Sequence, residues 1–141
     1  MIQPNLEPDR SPPPTSPRST ILVVDDRPEN LTLLAAVLKT DYRVRVVTQG
    51  QKALEIARSA KPPDLILLDI VMPELDGYAV CHRLKSDPKT APIPVIFVTA
   101  LEEVGANLQV DRWGAVDYIL KPISPIEVQT KVRRYLPEQV S

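Results

Sequence analysis

"ILVVDDRPEN", residues 21–30, runs four apolar residues straight into two adjacent acids, Asp25 and Asp26. A second stretch repeats the pattern: "LILLDIVMP", residues 65–73, carries an apolar run into Asp69. Neighbouring carboxylates repel, and burying either is costly. A core strand that ends this way therefore needs a reason. Continuous apolar runs, unlike alternating ones, mark strands covered on both faces, as in a parallel sheet. Acids at their ends then mark the rim of that sheet.

Working outward from these stretches, the pattern alternates from Thr20 onward. It predicts strands over 20–25, 43–47, 64–69, 93–99 and 116–119, and helices over 28–39, 50–60, 76–86, 102–113 and 124–136. Leu31, Leu34, Ala35 and Leu38 form one helical stripe, and Ala53, Leu54 and Ala57 another. Pro28 suits a first helical turn, and Asp76 suits an N-cap. In "MPELDG", Pro73 fixes φ and Gly77 follows Asp76 at the helix start, as a tight loop requires. Gly105 weakens the first turn expected at 102. Five strand–helix units make a doubly wound α/β domain with a five-stranded parallel sheet and helices on both faces.

The whole chain bounds the function. Its 141 residues suit one domain with a proper core. The formal net charge of −1 gives no basic excess, so direct nucleic-acid binding by a charged face is not expected. Cys81 stands alone, which excludes an intrachain disulfide and suits a reduced, cytoplasmic setting. No apolar run is long enough to span a membrane, and residues 1–19 carry no hydrophobic signal region, so export is not expected. Residues 1–19 differ in kind: they hold 6 of the 16 prolines, and "RSPPPTSPRS" lacks apolar side chains to bury. A disordered, partly polyproline arm is expected there, followed by a folded domain over 20–137 and a tail over 138–141.

In an open parallel sheet, ligands bind beyond the carboxyl ends of the strands. Asp25 and Asp26 end the first strand, Asp69 the third and Thr99 the fourth, and Lys121 follows the fifth. One acid at a strand end is commonplace and solvated. Several polar groups at the ends of the right strands, in order, are far more specific. Three carboxylates at an open rim suit Mg²⁺, a hard ion that prefers oxygen and keeps some of its waters. Zinc is disfavoured, because Cys81 and His82 lie on the third helix, with packing and surface roles expected respectively.

The motifs "VVDD", "LLDIVMPELDG", "VTA" and "GAVDYILKP" resemble those of the receiver domains of two-component response regulators, from about Thr20 to Leu136. The resemblance implies a flavodoxin-like sheet of order 2-1-3-4-5. It implies that Asp69 is the phospho-accepting aspartate, modified by a histidine kinase or phosphotransfer protein in a Mg²⁺-dependent reaction. Asp25, Asp26 and Asp69 would hold the metal, with the backbone carbonyl of Val71 as a further ligand. Lys121 would bind phosphate, Thr99 would supply the switch hydroxyl and Tyr118 the switch aromatic. A cis peptide is implied before Pro122, which an X–Pro bond allows.

Such a chain would be a signalling switch and not an enzyme acting on other substrates. It would control a downstream effector protein or domain, and could pair with a second copy through the fourth helix, fifth strand and fifth helix. Trp113 falls late in that fourth helix, and a partly buried position is expected for it. The alternative is a phosphorylation-independent receiver that acts as a protein-binding module; the presence of Asp25, Asp26, Asp69, Thr99 and Lys121 together speaks against it. A flavodoxin-like cofactor protein would need a glycine-bearing phosphate loop where "DDRPEN" stands. An aspartate-nucleophile phosphatase would generally need a cap or a second acid two residues beyond the nucleophile. Val71 occupies that place after Asp69, and Arg27 after Asp25.

Overall fold

The structure is a computed structural model, and it describes residues 18–100, 102 and 109–136. The elements are β1 (Thr20–Val24), α1 (Pro28–Leu38), β2 (Arg43–Val47), α2 (Gly50–Ala57), β3 (Leu65–Asp69), α3 (Gly77–Lys85), β4 (Val95–Ala100), α4 (Val110–Trp113), β5 (Asp117–Lys121) and α5 (Pro125–Tyr135). The five strands form one sheet of order β2-β1-β3-β4-β5, and every pairing is parallel. The expected fold class and strand order are those observed.

The continuous apolar runs follow from two cores, one on each face. Alternate residues of one strand point to opposite faces. Ile21 and Val23 of β1 join Leu31, Leu34 and Leu38 of α1 and Val128 and Val132 of α5. Leu22 and Val24 join Ala53 and Leu54 of α2 and Val80 and Leu84 of α3. Neither set can turn polar without opening a face.

Several boundaries differ from expectation, each for a local reason. Strand β5 covers Asp117–Lys121 and not 116–119, because Leu120 and Lys121 continue the register opposite Thr99 and Ala100. Strand β4 begins at Val95, since Pro94 has no N–H to give to a ladder. Asp64, expected to begin β3, instead lies just ahead of it, and its carboxylate accepts from the Thr20 N–H at 2.7 Å. Helix α2 stops at Ala57, where the Ser59 hydroxyl donates to the Ile56 carbonyl. Asp76 caps α3 by accepting from the Ala79 N–H at 2.9 Å, and Ser124 caps α5.

Of the helix expected over 102–113, Glu102 and Val110–Trp113 are helical; residues 101 and 103–108, including Gly105, lie outside the described residues. So do residues 1–17 of the proline-rich arm and the tail beyond Leu136. Ser19, which composition places in the arm, is buried, and its carbonyl accepts from the Arg43 N–H at 2.9 Å. Among the described residues no helix is long and apolar enough to cross a membrane.

Candidate functional site

The sheet register brings the acids together. Val24 of β1 lies opposite Leu68 of β3, so the next residues, Asp25 and Asp69, emerge side by side. Asp25 stays on the ladder, donating its N–H to the Val47 carbonyl at 3.2 Å. Carboxylate oxygens of Asp25, Asp26 and Asp69 all lie within 4.8 Å of one another. Asp25 and Asp69 are buried, and Asp26 is half-buried at the rim. One oxygen of Asp25 accepts from the Arg27 N–H at 2.9 Å, which fixes its rotamer.

Lys121, the last residue of β5, reaches across β4 to this cluster. Its Nζ lies 3.1 Å from Asp25 Oδ2 and 3.6 Å from Asp69 Oδ1. The contact with Asp25 is an ion pair, and Asp25 Oδ2 has no hydrogen-bond partner among the described residues. Thr99 is fully buried, and its Oγ1 has no hydrogen-bond partner among the described residues. A buried hydroxyl left that way is costly, so a ligand that could accept from it would be favoured there.

The cluster fits a divalent cation. Three carboxylates and one ammonium leave a net charge of −2 at the rim. An all-oxygen donor set suits a hard ion. Val71, two residues past the end of β3, is 42% exposed at this rim. The peptide between Lys121 and Pro122 is cis.

Gly77 sets how close α3 comes to Asp69. A Cβ at Gly77 would stand 2.3 Å from the Asp69 carbonyl oxygen and 2.7 Å from the Ile70 Cα. The Gly77 N–H donates to the Ile70 carbonyl at 2.7 Å. Only glycine lets the start of α3 press against the backbone behind the acid. The sequence marks Gly77 as a turn residue; its close approach to Asp69 shows only in the fold.

Tyr118, on β5, is 38% exposed with its ring turned outward. Lys131 of α5, which sequence reading did not single out, covers that ring with its Nζ 4.8 Å from the centroid. An i, i+4 spacing from Glu127 was the one local signal pointing to Lys131, and it reads equally well as an ordinary surface pair. Trp113 is half-buried, as expected, and stacks on Tyr78 at 5.2 Å between centroids. Cys81 is buried, and its thiol donates to the Trp113 carbonyl at 3.1 Å. Burial pushes that thiol up to about 11, so it stays protonated and inert at neutral pH. His82 is exposed.

Comparison with known proteins shows the family. A family model described as "Response regulator receiver domain" matches residues 21–133. Response regulator PleD of Caulobacter vibrioides is 44% identical over 114 residues, covering 80% of this chain and 25% of PleD. The DNA-binding dual master transcriptional regulator RpaA of Synechocystis is 38% identical over 82% of this chain and 48% of its own length. The chain thus spans between a quarter and a half of these curated relatives. Among solved structures, the receiver domain of the sensor histidine kinase PA1611 from Pseudomonas aeruginosa, with a magnesium ion in its active-site cleft, has a TM-score of 0.76 at 32% identity. That match covers 84% of this chain and 98% of the other.

Proposed function

The chain belongs to the response regulator receiver domain family, and on that premise we propose that Asp69 accepts a phosphoryl group and Lys121, Thr99 and Tyr118 convert the event into a change of shape. The donor would be a histidine kinase or phosphotransfer protein. A carboxylate oxygen of Asp69 attacks phosphorus, the O–P bond forms as the donor's N–P bond breaks, and the leaving imidazole nitrogen takes up a proton. Phosphoryl transfer asks chiefly for positioning and charge neutralisation.

The chain's own groups supply much of both. Asp69 is held at the end of a fully buried strand, with the start of α3 packed behind it. The Lys121 ammonium, 3.6 Å from Asp69 Oδ1, offsets the charge of the incoming phosphate. Thr99 Oγ1 can donate to a phosphoryl oxygen. Drawing Thr99 toward the phosphate vacates space that the Tyr118 ring can fill, which biases a packed two-state element. Asp25, Asp26 and Asp69, with the Val71 carbonyl, would hold Mg²⁺, which supplies further neutralisation of the transferring group.

The observation that carries this reading is the convergence of Asp25, Asp69 and Lys121 at the strand ends where Thr99 also lies, its buried hydroxyl without a partner among the described residues. We read the domain as residues 20–137, cytoplasmic, a switch rather than an enzyme acting on other substrates. It would control an effector protein or domain and could pair with a second copy through α4, β5 and α5. Incubation with Mg²⁺ and phosphoramidate, followed by intact-mass measurement, tests it. The mass should rise by one phosphoryl group in the parent and not in Asp69→Asn. Equal modification of Asp69→Asn would refute the assignment.

A further inference from the structure

Lys131 has no place in the chemistry at Asp69, yet it sits at the centre of a dense set of contacts. Its Nζ lies 3.5 Å from Asp117 Oδ1 and 3.2 Å from Glu127 Oε2. It donates to the Tyr118 carbonyl and stands 4.8 Å from the centre of the Tyr118 ring. Its side chain is only 18% exposed. Asp117 is itself fixed from α5, by Arg134 at 3.3 Å and the Tyr135 hydroxyl at 3.1 Å. The ammonium is thus pinned by two carboxylates and a carbonyl, in one place, over one face of one ring.

We propose that Lys131 is a cationic latch that holds Tyr118 in its outward position, so that the receiver's inward state is reached only by breaking a cation–π contact. This rests on the reading of Tyr118 as the switch aromatic. The chemistry is specific to the charge. A cation over a tyrosine face is attracted by the ring quadrupole, and the attraction is lost when the ring turns toward Thr99. The contact therefore exists in one state of the switch and not in the other, which is the condition for any group to bias an equilibrium. At a partly exposed site such a contact is worth about a two- to fivefold shift in that equilibrium. Lys131 is a positioning residue: its partners among the described residues are Asp117, Glu127 and Tyr118, and none of Asp25, Asp26 and Asp69 is among them.

The test is a double-mutant cycle in the intact chain, read as the initial rate of Asp69 phosphorylation by phosphoramidate at fixed Mg²⁺. Lys131→Met keeps the length of the side chain and removes its charge. It should raise the rate about two- to fivefold by enlarging the inward population. Lys131→Arg keeps a cation over the ring and should behave as the parent. In a Tyr118→Leu background, Lys131→Met should have no effect. An unchanged rate in Lys131→Met, or the same acceleration with and without Tyr118, overturns the latch. A parent that takes no phosphoryl group would sink the reading of Asp69 instead. Tyr118 χ1 populations, from NMR couplings in the unmodified proteins, decide the latch in that case. A smaller outward population in Lys131→Met supports it, and equal populations in the two proteins overturn it.

Discussion

Glu74 is the one described non-glycine residue with a positive φ, at 69°, in the loop between β3 and α3. A left-handed conformation costs an L-residue roughly 1–2 kcal/mol. Glycine removes that strain but gains about 0.4–1 kcal/mol of unfolded-state entropy. The balance makes Glu74→Gly neutral to stabilising, by about 0–1.6 kcal/mol. Urea unfolding should show an equal or higher midpoint at an unchanged slope, and a lower midpoint would contradict the strain. Residues differ sharply in how far sequence announces them. Asp25 and Asp69 were legible because each ends an apolar run that has no other use for a charge. Gly77 read as a turn former, since nothing local reveals that a Cβ there would meet the Asp69 carbonyl oxygen at 2.3 Å. Lys131 was invisible for the same reason, because its ring partner lies 13 residues away on another element.

At the scale of elements, the loop that follows β3 carries a kinetic consequence. Loss of the phosphoryl group requires a water in line with the Asp69–phosphorus bond. Val71, two residues past Asp69 and 42% exposed at this rim, is expected to flank that approach, where its side chain could not orient such a water by hydrogen bonding and would tend to exclude one. The phosphoryl group should therefore be long-lived, and Val71→Asn should shorten its life. Following the decay of phosphorylated parent and Val71→Asn at one Mg²⁺ concentration checks this; indistinguishable decay removes the shield. Leu101, two residues past Thr99 and by its spacing a second candidate to flank that approach, lies outside the described residues. Strands β1 and β3 were legible almost to the residue, because two covered faces leave a continuous apolar signature. Strand β5 was not. It is an edge strand whose half-buried residues alternate weakly, and its true end is set by pairing with Thr99 and Ala100 of β4, a tertiary fact.

Across the whole molecule, the site and the fold share one electrostatic problem. Buried Asp25 and Asp69 and half-buried Asp26 repel one another, and Lys121 offsets only part of that repulsion. A cation that binds the folded chain alone stabilises it, by about 2.7 kcal/mol at 100 times its dissociation constant. Thermal unfolding in millimolar Mg²⁺ should thus give a higher midpoint than in chelator, and Asp26→Ala should shrink the difference. Equal midpoints in the parent would count against the metal site. The architecture itself was readable from three continuous apolar runs and the alternation of strands with helices, because a parallel sheet covered on both faces leaves few alternatives. Sheet, helices and strand-end acids together present Asp69 for phosphorylation. The most direct measurement treats the Mg²⁺- and phosphoramidate-exposed protein with borohydride, which reduces an aspartyl phosphate to homoserine, and maps the peptides by mass spectrometry. Homoserine at position 69 alone, absent when Mg²⁺ is chelated, is the predicted result; homoserine elsewhere, or none at 69 in a phosphorylated sample, would contradict it.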